Sequence, residues 1–243
     1  MSITFSNGYQ IIRTVASTAS LVTNGLVMNL QTAPSSGTIW TDASGNGNSG
    51  SLITVSTGTL TYTGSYGGGI VAGGPAGSNT AICTPYNLTS SFSVEVIVQP
   101  NSSNYWAVLW GNEIYSTKGW YAFWNGNASL AAGGPLSSLS YSTPTATSNV
   151  PVHLVFTLQT GSFNMYKNGV LQAGVGTYTG PSGGVSTTGL NFGSRHPNSS
   201  GTKNTPTDSL KGVFYQMRVY DRGLTAAEAR QNFDTIKATY SLT

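Results

Sequence analysis

Charge is scarce in this chain. Asp, Glu, Lys and Arg make up 7% of its 243 residues, against about 25% in ordinary soluble domains. Ten basic and seven acidic side chains leave a net charge of +3, too small and too scattered for a nucleic-acid surface. There is one cysteine, Cys83. That excludes an internal disulfide and any multi-cysteine zinc site. Within Thr80-Ala-Ile-Cys it reads as a small core residue. No apolar run approaches the roughly 18 residues of a membrane span, so no membrane partner is expected. The N-terminus, Met1-Ser-Ile-Thr-Phe-Ser-Asn-Gly, lacks a basic region followed by an apolar one. It reads as the start of a protein made soluble in the cytosol, which meets an exterior through release, lysis or a dedicated route.

What is present is glycine, hydroxyl and amide side chains, and aromatics. Thirty-one glycines accompany a hydrophobic fraction of 38% and an aromatic fraction of 11%, enough apolar material to argue against disorder. The clearest local pattern is Gly212 to Lys237. Val213, Tyr215, Met217 and Val219 alternate with Phe214, Gln216, Arg218 and Tyr220, the period of a strand. Asp221-Arg222-Gly223 is turn chemistry. Thr225 precedes Glu228 by the capping-box spacing. Leu224, Ala229, Phe233 and Ile236 then share a helical face.

Upstream, residues 1 to 24 read as an arm, either a short hairpin or a docking strand for another chain's sheet edge. The first core strand is Gly25 to Leu30. Trp40-Thr-Asp-Ala-Ser-Gly-Asn-Gly-Asn is dense in turn formers. A calcium loop also uses Asp and Asn oxygens, but Asp42 is the one carboxylate there, so the turn reading leads. Residues 50 to 90 hold short strands between glycine-rich turns and include Tyr62, Tyr66 and the Gly67-Gly68-Gly69 triplet. Phe92 to Pro100 is a strand with Phe92, Val94, Val96 and Val98 on one face. Four of the five tryptophans fall between residues 105 and 124. Val150 to Leu158 is another strand, and Asn168-Gly169 marks a hairpin turn. Residues 195 to 209 read as an exposed loop. Many short strands, one late helix and no βαβ rhythm indicate an all-β, antiparallel two-sheet jelly-roll sandwich with one short C-terminal helix.

In this order the motifs resemble the laminin-G-like, or concanavalin A-like lectin/glucanase, jelly roll. They are Gly25-Leu-Val, the Trp40 to Asn48 turn, Ser91 to Pro100, Val152-His-Leu-Val-Phe-Thr, Tyr166-Lys-Asn-Gly-Val-Leu, Leu190-Asn-Phe-Gly and Met217 to Glu228. They place the domain at 25 to 243. The chain departs from the family at Gln31, where an Asp is common, and at Ile97 and Pro151, where Trp is common. The segment Glu228 to Lys237 is similar to the version found in virion proteins of tailed bacteriophages. That resemblance implies a virion-surface protein, a capsid decoration or fibre component, with other capsid or tail proteins as partners, glycans as candidate ligands, and self-association left open.

Glycoside hydrolases of the superfamily use two carboxylates set close together on one strand. None of Asp42, Glu95, Glu113, Asp208, Asp221, Glu228 and Asp234 forms an i, i+2 pair. Glu95 reads as the partner of a strand arginine such as Arg218, and His153 as a structural histidine. No catalytic residue, cofactor or metal ligand is assigned. Sugars stack on aromatic rings and bond to amides, so Trp110, Tyr115, Trp124 and Asn125 are the candidate ligand-binding residues. The alternative is that the tryptophans, Trp106 and Trp120 included, fill the core with Phe123. A free-standing carbohydrate-binding module or adhesin is the second functional reading.

Overall fold

The computed structural model describes residues 2–4, 10–12, 20–55, 57–73, 79–101, 107–112, 119–125, 129–134, 137–141, 147–159, 161–172, 189–194 and 209–243. Tyr115, Trp106 and the 195–208 part of the expected loop lie outside the described residues. In chain order the strands begin with β1 (Ser2–Thr4) and β2 (Gln10–Ile12), which among the described residues pair with each other alone. There follow β3 (Leu26–Leu30), β4 (Ile39–Trp40), β5 (Gly50–Val55), β6 (Thr59–Thr63), β7 (Gly69–Gly73) and β8 (Asn79–Cys83). The middle of the chain forms β9 (Phe92–Pro100), β10 (Ala107–Gly111), β11 (Tyr121–Asn125), β12 (Ser129–Gly134) and β13 (Ser137–Tyr141). The rest comprises β14 (Val152–Gln159), β15 (Ser162–Lys167), β16 (Val170–Leu171), β17 (Asn191–Phe192), β18 (Gly212–Tyr220) and the helix α1 (Ala226–Ile236).

Two antiparallel sheets stack into a sandwich. The front sheet has the order β13-β12-β11-β10-β17-β8-β5-β4. The back sheet runs β16-β15-β14-β9-β18-β7-β6, with β3 beside the C-terminal half of β18. The long strands β9, β14 and β18 form the middle of the back sheet and are buried on both faces. Phe92, Val94, Val96 and Val98 of β9 face the inter-sheet core, with Leu154, Phe156 and Leu158 of β14 beside them.

Strand β18 departs from simple alternation. Its ladder with β9 slips between Phe214 and Gln216. This bulge inserts one residue and reverses which parity faces inward. Phe214, Met217 and Val219 enter the inter-sheet core, whereas Tyr215 packs with Ile97, Phe233 and Ile236 on the helix side. The simple period of two had put Tyr215 on the face of Met217.

Helix α1 lies across the outer face of the back sheet and buries Ala229, Asn232, Phe233 and Ile236. The capping box is formed: the Glu228 N–H donates to Thr225 Oγ1 at 3.2 Å, and the Thr225 N–H donates to Glu228 Oε2 at 2.9 Å. At the other edge, Asn168 and Gly169 adopt φ values of 48° and 73° and join β15 to β16 as a two-residue hairpin. Both must take the left-handed conformation, which Asn and Gly tolerate.

Residues 20–24 are bonded to the helix. The Val22 N–H donates to Asn232 Oδ1 at 2.9 Å, and the Gln231 side chain donates to the Ser20 carbonyl at 2.7 Å.

Candidate functional site

The tryptophans proposed as stacking platforms are core residues. Trp110 is 0% exposed and Trp124 is 2% exposed. Trp110 meets Phe92 and Phe156 edge-on, with centroids 5.9 Å and 5.5 Å apart. The reason is register. Trp110 pairs with Ala122 across the β10–β11 ladder, and Ala122 and Trp124 share the inward face of β11. Neither ring is open to a ligand, which corrects the reading of these two as site residues. Asn125 closes the β11–β12 ladder opposite Ser129. Trp120 fills the core, as the competing reading expected. Phe123 instead stacks on Tyr121 on the outward face of the front sheet, at 5.6 Å.

Asp42 organises a turn. Its Oδ1 accepts the N–H groups of Asn29 at 2.8 Å and Ser44 at 2.9 Å. Its Oδ2 accepts the Asn48 N–H at 2.9 Å and the Ser44 hydroxyl at 2.8 Å. Partial burial works to raise this carboxyl, but the donors from Ser44, Asn29 and Asn48 override it and hold it below its ordinary range. Both oxygens are occupied by donors of the protein itself, and among the described residues no three of His, Cys, Asp and Glu gather as a metal cluster.

Beneath α1 lies a buried polar network. Arg218 Nη1 donates to Glu95 Oε1 at 2.7 Å, and His153 Nε2–H donates to the same oxygen at 2.9 Å. Asn232 Nδ2 donates to Glu95 Oε2 at 2.8 Å, and the Tyr220 hydroxyl lies 3.3 Å from that oxygen. Burial alone would raise the Glu95 carboxyl. The Arg218 charge, with the His153 and Asn232 donors, brings it down to about 2. The roles expected for Glu95, Arg218 and His153 are those observed. A carboxylate sealed under a helix with its lone pairs filled is built for structure.

Beside α1 a groove of about 620 Å³ is lined by Lys167, Asn168, Arg230 and Lys237 among others. Arg230 and Lys237 both pair with Asp234, at 2.9 Å and 2.6 Å. Those two cations are therefore engaged with the protein's own acid.

A different place presents an aromatic ring to solvent. Tyr66 sits in the 3-10 turn Ser65–Gly67 between β6 and β7 and is 37% exposed. Its φ of 52° and ψ of 34° are left-handed. That conformation is rare for a bulky residue and costs about 1–3 kcal/mol. It is held by packing. The Tyr66 ring meets Tyr215 at 5.4 Å in a T-shaped contact and Tyr240 at 6.2 Å. Tyr215 is anchored in turn, its hydroxyl donating to Gln99 Oε1 at 2.8 Å. Burial, then the neighbouring Tyr66 and Tyr240, push that hydroxyl up to about 12, so it stays protonated. The close approach depends on Gly69, where a Cβ would lie 2.8 Å from Tyr215 Cδ1 and from Val213 Cγ1. Thr63 Oγ1 accepts the Ser65 N–H at 3.2 Å and ties the turn to β6. Reading the sequence for tryptophans passed over this site. Its signal is an aromatic followed by three glycines, a place where the backbone takes conformations that other residues avoid.

The profile of the concanavalin A-like lectin/glucanases superfamily matches residues 73–230. Among curated proteins, none matches the chain significantly in sequence. Among solved structures, the chain is similar to domain 4 of AbnA, an extracellular arabinanase from Geobacillus stearothermophilus, in complex with arabinotriose. That likeness has a TM-score of 0.61 and 18% identity over 85% of this chain and 97% of that domain. It is also similar to the binding domain of Paraclostridial Mosquitocidal Protein 1, at a TM-score of 0.63 and 15% identity over 86% of this chain and 52% of that one. A third neighbour is Trypanosoma rangeli sialidase in complex with the inhibitor DANA, at a TM-score of 0.62 and 17% identity over 92% of this chain. The chain spans about half the toxin binding domain, at 52%, and about a third of the sialidase, at 34%. At these identities the likeness is one of fold. The profile covers more than half of the chain and agrees with the two-sheet sandwich and its closing helix, so the chain belongs to the concanavalin A-like lectin/glucanase superfamily.

Proposed function

We propose that this protein is a non-enzymatic virion component of a tailed phage, a capsid decoration or fibre protein. Its lectin-like jelly roll is displayed outward and adheres weakly to host or environmental glycans. The observation that supports the non-enzymatic part is that four of the chain's seven carboxylates are committed to the protein's own donors. Asp42 is tied into a turn, Glu95 is sealed under α1, Glu228 caps the helix and pairs with Arg222, and Asp234 pairs with Arg230 and Lys237. Glycosidic cleavage needs two carboxyl groups facing a sugar, and these four are turned to the protein's own donors. The virion reading is supported by the resemblance of the Glu228 to Lys237 segment and by the charge-poor, hydroxyl-rich composition. Its partners are then other capsid or tail proteins.

Adhesion through single shallow sites is weak. Association costs several kcal/mol of lost freedom, which leaves affinities in the millimolar range, on the order of 4 kcal/mol. Many copies on one particle turn this into retention, because each later contact is intramolecular. The test is mass spectrometry and immunogold labelling of purified particles. Detection at stoichiometric copy number on the particle exterior is the expected result, and absence from the particles overturns the virion assignment. A free-standing carbohydrate-binding module is the second reading. It is favoured by the match over 97% of an arabinanase's separate domain, one seen with arabinotriose. Glycan binding with no particle association selects it.

A further inference from the structure

Resting on the adhesion reading above, we infer that Tyr66 is the glycan contact, an aromatic platform for the CH face of a neutral pyranose or furanose ring. Three observations converge on it. The first is backbone: a bulky residue is held left-handed at φ 52° in a turn otherwise made of serine and glycine. No residue of the turn is itself buried, and the ring stays 37% exposed while it packs on Tyr215 and Tyr240. The second is support. Tyr215 and Tyr240 brace Tyr66 from the protein side, at 5.4 Å and 6.2 Å, so the exposed ring is fixed before any ligand arrives. A rigid aromatic loses little freedom on binding, which is how weak sites keep useful affinity. The Tyr66 hydroxyl is a group that can donate to or accept from a sugar hydroxyl.

The third observation sets the ligand class. Between Asp42 and Glu95 the chain carries no charged side chain. The exposed neighbours of Tyr66 in sequence are Thr61, Tyr62, Gly64, Ser65 and Gly67. This segment supplies rings that stack on sugars and hydroxyls that bond them, and none of its side chains is charged. Thr61 lies on β6, the last strand of the back sheet path. Its hydroxyl adds a polar group on the strand that leads into the turn. This chemistry recognises neutral polysaccharide such as glucan, mannan or arabinan and discriminates against acidic polymers.

The experiment places the full chain on beads at high density and measures capture of fluorescent glucan, mannan, arabinan and polygalacturonate. Wild type, Tyr66→Gly and Tyr66→Trp are compared after thermal unfolding shows that each is folded. Glycine suits the left-handed turn, so Tyr66→Gly removes the ring without forcing the backbone. The expected result is capture of at least one neutral polymer over polygalacturonate, roughly tenfold weaker for Tyr66→Gly and restored by Tyr66→Trp. Equal capture by wild type and Tyr66→Gly overturns the Tyr66 site and leaves the adhesion reading standing. Capture of polygalacturonate alone overturns the neutral class and also leaves adhesion standing. Capture of nothing overturns both.

Discussion

Glu95 and Arg218 face each other across the β9–β18 ladder, paired in register and 2.7 Å apart, with α1 closing over both. The helix thus docks on the sheet through a charged pair as well as through Phe233 and Ile236. Asn232 of the helix joins the pair and also accepts the Val22 N–H. Strand, helix and the segment at residues 20–24 are locked in one network. Breaking it by Glu95→Gln leaves Arg218 buried without its counter-charge, at an expected cost of about 3–5 kcal/mol. Denaturant unfolding measures it, and a loss under about 1 kcal/mol contradicts this account.

The same pair sets the acid limit. The folded Glu95 carboxyl is held at about 2, below its ordinary value of 4.5, by the Arg218 charge and the His153 and Asn232 donors acting against burial. A depressed folded value means the stabilisation is complete above about 4.5 and is lost as the pH falls toward about 2. Glu228 is also held at about 2, by the Arg222 hydrogen bond above all, and adds in the same direction. Thermal unfolding followed from pH 6 to pH 2 is therefore expected to fall in that window. In Glu95→Gln the fall is shallower, and an unchanged slope contradicts the assignment.

Trp110 separates core from site. Trp110→Ala is expected to lower stability by about 3–5 kcal/mol, as for other buried aromatics, because its ring packs against Phe92 and Phe156. Trp110→Phe keeps much of the packing and is expected to leave glycan capture unchanged in the folded protein. Loss of capture by a folded, wild-type-stable Trp110→Phe contradicts the burial argument.

Thr225→Ala removes the hydroxyl that caps α1 and is expected to cost about 1 kcal/mol. The bidentate Arg222–Glu228 pair, at 2.9 Å and 2.6 Å, remains and keeps the effect from growing. Chemical denaturation reads the loss directly.

Two truncations locate the domain boundary. Deleting residues 1–19 is expected to leave the thermal midpoint nearly unchanged and to abolish incorporation into particles. The deleted stretch contains β1 and β2, which among the described residues pair with each other alone. Deleting residues 1–24 also removes Val22 and the backbone that bonds Asn232, Gln231 and Arg222, and the midpoint is expected to drop. Equal midpoints for the two truncations mean that residues 20–24 do not support the fold.

By itself the sequence determined the parts whose physics is local. The capping box at Thr225 and Glu228, the Asn168-Gly169 hairpin and the period-two face of Phe92 to Val98 need only near neighbours, and each stands where the pattern put it. So does the Asp42 turn, whose donors lie mostly within six residues. The tertiary structure alone decided facing and exposure. The β18 bulge at Tyr215 moves that ring to the helix side, because one extra residue opposite β9 reverses the parity. Trp110 and Trp124 are buried because the β10–β11 register turns them inward, a fact set by strand pairing and not by composition. Tyr66 became a candidate only in three dimensions. Its brace comes from Tyr215 and Tyr240, far along the chain, and an exposed ring differs from a buried one only in what folds over it.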